Sequence, residues 1–397
     1  MNNRPSSHSR RRRLTAGLLA AALLITHLAG CGGGVDSGGT GIIASGPISG
    51  LGSIFVNDVR FDDDSAEIRD EQGALLTKDQ LKLGMTVIVE GGTLDTSGTQ
   101  ATSTALAIRV VSDLVGPVAS VDAVGGSFVV LGQTVIVGAR TLYDGSLTGG
   151  FSALVPGMTV QVYSQYDPLT RQYAATRVEQ LPDASFYKIR GVVAARDPQA
   201  PSLTLGSEVI GVGSVAGNAV PPADIGDFLS VRLLPDNAQL AATSVRTADL
   251  MLADHPVARV EGTVTEIVSS RSFKVNGIAV DAVGAHFDGD EAKVVLGARV
   301  GVFGATLAGT LVAARVIVHD DSVPAIASFA LVGAVQELDA AARSFRIRNT
   351  PVVFDDGTTF SGGVAADLAD GRRATVTGVP SLDGTRIVAT QVTFGTP

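Results

Sequence analysis

Three glycine and valine landmarks recur five times along this chain at a spacing of about 70 residues, and they constrain its fold more than any other feature. A first glycine opens each copy: Gly46, Gly116, Gly191, Gly262 and Gly333. A second precedes the fourth strand of each copy: Gly84, Gly157, Gly226, Gly297 and Gly371. A valine closes each: Val110, Val178, Val245, Val316 and Val392. Independent landmarks with a common period point to an internal repeat. A unit of about 70 residues is large enough to close a small core of its own. The expectation is therefore a row of separate beads rather than a solenoid that needs its neighbours.

Each copy has the pattern of β-structure. Three and five places after the second glycine the residues are apolar in every copy: Val87 and Val89, Val160 and Val162, Leu229 and Val231, Val300 and Val302, Ala374 and Val376. The residue between them is Ile88, Gln161, Ser230, Gly301 or Thr375, mostly polar or small. Alternation with period two marks a strand with one buried face. Ser127-Phe128, Ser272-Phe273 and Ser344-Phe345, with Ser53-Ile54 and Ser202-Leu203 as variants, mark the second strand. Asn57-Asp58 and Asn276-Gly277 are dipeptides that tolerate positive φ and predict hairpin turns. Segments such as Thr77-Lys78-Asp79-Gln80-Leu81 break the alternation and predict a helical turn closed by the second glycine. The fold class is all-β: five tandem small β-barrels of about 70 residues, with the order three strands, helical turn, two strands. That order is OB-like, with an SH3-like barrel as the alternative.

The predicted units span 45–113, 114–184, 185–253, 254–324 and 325–397. The joints carry acids and prolines, such as Asp113, Pro182-Asp183 and Asp320-Asp321, and no joint is a long linker. The third unit departs most, inserting Gly217-Asn218-Ala219-Val220-Pro221-Pro222 before its fourth strand.

Residues 1–30 stand apart from the repeats. Arg10 to Arg13 form a charged region, and Leu14 to Leu28 form an apolar stretch too short to span a membrane comfortably. Leu28-Ala29-Gly30-Cys31 follows, and it resembles a bacterial lipobox. The resemblance implies cleavage before Cys31 and lipid on its thiol and on the new amine, which gives a partner: the membrane. Cys31 is the only cysteine, so an intramolecular disulfide is impossible. Gly32 stands where an aspartate would imply inner-membrane retention, so the resemblance implies an outer-membrane lipoprotein facing the periplasm or the surface of a Gram-negative cell. The glycine-rich stretch 31–44 is a tether. Ser9-Arg10-Arg11-Arg12 partly resembles a twin-arginine export signal, although a merely basic leader also accounts for it.

The chain carries a net charge of −9, and the leader contributes five arginines and no acids, so its removal leaves −14. An acidic surface repels phosphate backbones, which excludes nucleic acid as a partner class.

No residue set demands a chemistry. His255, His286 and His319 are single occurrences without metal-ligand spacing, so no metal and no cofactor is expected. Asp62-Asp63-Asp64 and Asp288-Gly289-Asp290-Glu291 are acidic but lack the spacing of a calcium loop and are read as surface turns. Ser185-Phe186-Tyr187-Lys188 matches a nucleophile pattern that works only on a helix. Here it leads into a strand, where residues three apart point to opposite sides. No catalytic residue is assigned.

The local anomaly is aromatic. All five tyrosines fall between 143 and 187. Tyr163 lies six places after Gly157, so alternation points it away from its own core. Tyr163, Tyr166 and Tyr173 are the candidate binding residues: an exposed patch for a protein or glycan partner, with tyrosine suited to recognition because one end is apolar and the other polar. Exposed rings that merely pack across a hairpin are the competing explanation.

A lipobox, a glycine tether and tandem units of this pattern together resemble a family of proteobacterial envelope lipoproteins that carry repeated copies of a β-rich domain of unknown function. The resemblance implies no catalytic residue. Two functions are compatible with it: a non-enzymatic array of barrels for binding or spacing, or an envelope enzyme with one active repeat acting on a cell-surface polymer.

Overall fold

The computed structural model describes residues 41–197, 199–213, 215, 220–221, 223–235, 240–247, 252–319 and 328–395. The leader 1–30, Cys31, residues 31–40 of the tether and most of the 217–222 insertion lie outside them. The described chain is all-β, built of small barrel-like sheets, and it has no α-helix.

Residues 255–318 show how one such sheet closes. His255–Ser269 pairs antiparallel with Ser272–Val275, which pairs with Ile278–Asp281. Ile278–Asp281 then runs parallel to Thr310–Val318, which pairs with Arg299–Leu307, and this last strand returns to His255–Ser269. The same circuit recurs at Leu114–Asp122, Ser127–Val130, Gln133–Ile136, Thr159–Asp167 and Gln172–Gln180.

The repeated glycines have two distinct physical reasons. The second glycines Gly84, Gly157, Gly226, Gly297 and Gly371 all adopt positive φ, between 81° and 103°, where a side chain would strain the backbone. Each donates its N–H to the residue two places past the first glycine (Ile48, Val118, Val193, Val264 or Val335) at 2.8–2.9 Å. The first glycines leave room for the hairpin turn above them. A Cβ on Gly262 would stand 2.1 Å from Asn276 Nδ2, and one on Gly46 would stand 2.4 Å from Asn57 Oδ1. Asn57 and Asn276 are themselves at φ 49° and 51°, as the turn dipeptides predict. The predicted helical turns are short 3₁₀ turns at Lys78–Gln80, Gly150–Ala153, Glu291–Lys293 and Ala365–Asp367. Every apolar residue at the alternating positions after the second glycine is buried, as are the five closing valines.

The expected row of separate beads is not what forms. Gly41–Pro47 pairs antiparallel with Thr86–Thr93 on one edge and, on the other, parallel with His255–Ser269, where Ile42 faces Val257 and Ser45 faces Val260. Gly50–Leu51 runs parallel to Phe329–Ala334. Leu114–Asp122 meets Tyr187–Asp197, with Val115 opposite Lys188. Strands of sequence-distant segments therefore share sheets: residues 41–44, expected to be the end of the tether, form a buried strand that joins 254–324, and the segment 45–113 joins 325–397. The apolar clusters cross the same boundaries. Ile54, Phe61 and Val87 pack in one cluster with Phe329, Phe345 and Val392. Ile43, Ile88 and Val111 pack with Val260 and Val302. The physical reason is that an open strand edge and an apolar face are both stabilised by a partner.

Candidate functional site

The tyrosine cluster lies inside the molecule, not on its surface. Tyr163, Tyr166 and Tyr173 are 2%, 6% and 0% exposed, which overturns the exposed patch. As alternation predicts, the Tyr163 ring leaves its own segment's core. It enters the apolar cluster of the segments 45–113 and 325–397 instead of solvent. A register shift between Tyr163 and Ser164 then turns the strand, which places Tyr166 and Tyr173 in the core shared by 114–184 and 185–253. Tyr166 stands opposite Tyr173 across the hairpin, the ring centroids 4.9 Å apart, and stacks on Phe228 at 5.0 Å. The Tyr173 hydroxyl donates to the Arg190 carbonyl. Burial raises the Tyr163 and Tyr173 hydroxyls well above the usual phenol range, and pushes Tyr166 up to about 12. Tyr143 is buried too, and its N–H donates to the Gly384 carbonyl at 2.9 Å. Four of the five tyrosines, Tyr143, Tyr163, Tyr166 and Tyr173, are thus buried where 114–184 meets its neighbours.

Beside Tyr163 a groove of about 480 Å³ runs between 45–113 and 114–184. Glu71, Asp79, Asp144, Glu179 and Asp183 line it, with Lys82 as the cation. At its margin lies the most buried cation among the described residues, Lys188, which is 2% exposed. Lys188 Nζ donates to Glu71 and to the Ser112 carbonyl. Burial lowers its pKa, and Glu71 opposes that fall. A lysine with a lowered pKa invites assignment as a nucleophile. Here Glu71 and Ser112 occupy it, and it sits on the strand Tyr187–Asp197 rather than on the helix a Ser185 to Lys188 nucleophile pattern requires.

Two residues further along, Arg190 Nη1 meets Asp113 Oδ1 at 2.9 Å, and Asp113 also accepts from the Ser164 N–H at 3.0 Å and the Ser164 hydroxyl at 2.7 Å. Arg348 Nη2 lies 3.4 Å from Asp63 Oδ2, across another boundary. Thr176 Oγ1 donates to the Gly84 carbonyl at 2.7 Å. Sequence reasoning noted Asp113 as a joint acid and Lys188 only in a discarded nucleophile pattern, and it did not find Glu71 or Arg190. Their partners are between 77 and 117 residues away, and no local pattern links them.

The other sequence candidates fall on the surface or in structural pairs. Carboxylate oxygens of Asp62, Asp63 and Asp64 lie within 4.8 Å of one another, but Arg348 pairs with Asp63, and Lys78 holds Asp64 at 2.8 Å. His286 is exposed and lies 3.2 Å from Asp288. Asp290 caps a 3₁₀ turn, accepting from the Ala292 N–H, and Glu291 pairs with Arg271 at 2.7 Å. Glu261 is held between Arg299 at 3.1 Å and His319 at 3.4 Å. Burial raises the Glu261 pKa, while His319 and Arg299 oppose the rise.

A comparison with curated proteins finds no match. Among solved structures, the chain is similar to drosophila Unr CSD456 at 13% identity and a TM-score of 0.17, covering 52% of this chain and 98% of that one; a likeness at that score carries no argument. Residues 115–179, 261–317 and 332–393 match the family described as Domain of unknown function (DUF5666), so the chain carries a repeated domain of unknown function.

Proposed function

We propose that this chain is a lipid-anchored lipoprotein of the Gram-negative outer membrane. In this reading five OB-like barrels form one non-enzymatic module that binds or spaces a protein or glycan partner. The lipobox pattern Leu28-Ala29-Gly30-Cys31 supports the anchor. The parallel pairing of third and fifth strands, seen at Ile278–Asp281 with Thr310–Val318 and at Gln133–Ile136 with Gln172–Gln180, supports the OB-like circuit. An SH3-like barrel is antiparallel throughout. The common hydrogen bond from the second glycine in all five segments supports the count of five.

The observation that carries the non-enzymatic reading is the placement of buried charge. Lys188 with Glu71, Arg190 with Asp113, and Arg348 with Asp63 each join two segments. Buried ionic groups in these positions fix which surfaces dock. The acid-lined groove beside Tyr163 and the net charge of −14 without the leader favour a partner other than nucleic acid. Palmitate labelling of cells that express the chain tests the anchor. Label is expected on the wild type in the outer-membrane fraction and absent from Cys31→Ser; label on Cys31→Ser would overturn the assignment.

A further inference from the structure

A second cavity, of about 200 Å³, opens where three segments meet, and its charge is opposite to that of the molecule. Lys82 comes from the first segment, Arg177 from the second, and Arg346 and Arg386 from the fifth; Asp144 is the acid in the lining. Four cations against one acid is a strong local excess in a chain of net charge −9.

We propose that this cavity is a binding site for a small oxyanion of the phosphate-monoester class. The side chain of Arg177 is 8% exposed, and it is fixed by Glu179 at 2.7 Å and by the Leu83 carbonyl at 3.3 Å. That leaves Asp144, 4.0 Å from its Nη2, as a loose neighbour on the cavity side. Arg346 Nη2 donates to the Asn349 carbonyl at 2.5 Å, while Glu337 lies 3.8 Å from Arg346 and Asp383 lies 3.8 Å from Arg386. Neither carboxylate contact is a well-formed charge-assisted hydrogen bond, and a guanidinium carries five N–H donors, so both groups retain donors for a ligand. Lys82 Nζ donates to the Asp79 carbonyl at 2.6 Å. Its pKa is lowered by burial first and then by the nearby Arg177, which fits a crowded positive field. Four flexible or forked cations around a volume this small favour a compact, multiply charged oxyanion over a polymer. The acidic exterior and the acid-lined groove next to the cavity disfavour an extended phosphate backbone.

The ligand could reach the cavity as a free phosphate or as a lipid headgroup, and the experiment separates the two. The purified full chain is titrated with inorganic phosphate at constant ionic strength, with chloride as the reference ion, and binding is read by calorimetry and by thermal melting. Saturable binding is expected for the wild type, with an affinity about tenfold weaker for each guanidinium removed in Arg346→Gln and Arg386→Gln. Both arginines are partly exposed, so the variants are expected to melt like the wild type without phosphate. If they do not, Lys82→Gln is measured in their place and should show the same loss. No saturable binding, or binding unchanged in the variants, would overturn the site. In a second arm the chain is sedimented with vesicles of phosphatidic acid, whose headgroup is a phosphate monoester, or of phosphatidylcholine. Cavity-dependent sedimentation with phosphatidic acid alone, together with phosphate binding, assigns the lipid headgroup; phosphate binding without that difference assigns the free ion.

Discussion

Asp113 and Arg190 form an ion pair 2.9 Å long in which both side chains are 7% exposed, and Ser164 on the strand Thr159–Asp167 also donates to the carboxylate. Removing one partner of a buried pair leaves the other charged and without compensation. Asp113→Ala is therefore expected to cost about 3–5 kcal/mol, measured by urea denaturation. Combining it with Arg190→Met should recover part of that loss, because the orphaned charge is gone. A single substitution that costs less than about 0.5 kcal/mol would mean the pair is solvated and the joint is open.

Tyr163 gives a second test of the same joint. An exposed ring would be worth no more than about 0.5 kcal/mol on truncation. A buried ring leaves a cavity, and Tyr163→Ala should lower stability by about 3–5 kcal/mol. Chemical denaturation separates the two, and a change near zero would return the ring to the surface.

Lys188 predicts a pH dependence whose sign is fixed by its burial. The folded state holds the Lys188 proton less tightly than the unfolded chain, whose lysines titrate near the ordinary value of 10.5. Between the lowered folded value and 10.5 the unfolded state binds more protons, so stability rises with pH across that window. It is lost again as pH falls through the folded value. The stability of wild type relative to Lys188→Met should therefore increase from neutral pH toward 10.5. A flat difference would mean that Lys188 is not desolvated.

The β-architecture was legible in the sequence because its signals are local. Val300 and Val302 are buried as the alternation required, and Gly297 and Gly371 sit at positive φ, although the 3₁₀ turns already end at Val294 and Leu368, three residues earlier, so the glycines do not close them. The relation between segments was not legible, because it is carried by contacts such as Ile42 with Val257 and Asp63 with Arg348 that no short pattern encodes. Tyr163 shows the limit best. Alternation gives the direction of a side chain relative to its own strand, and whether that direction ends in water depends on a segment some eighty residues earlier.

The docking of the segments 254–324 and 325–397 onto 45–113 is the claim on which the rest depends, and a fragment of residues 254–397 tests it most directly. Excision removes the parallel pairing of Ile42–Ser45 with Val257–Val260, the pairing of Gly50–Leu51 with Ala330–Leu331, and the shared apolar clusters. Thermal melting followed by circular dichroism should place the fragment about 10 °C or more below the full chain, each lost kcal/mol being worth a few degrees. Adding residues 41–113 in trans should raise it again by mass action. A fragment that melts with the full chain and ignores added 41–113 would contradict the docked arrangement and restore the independent beads.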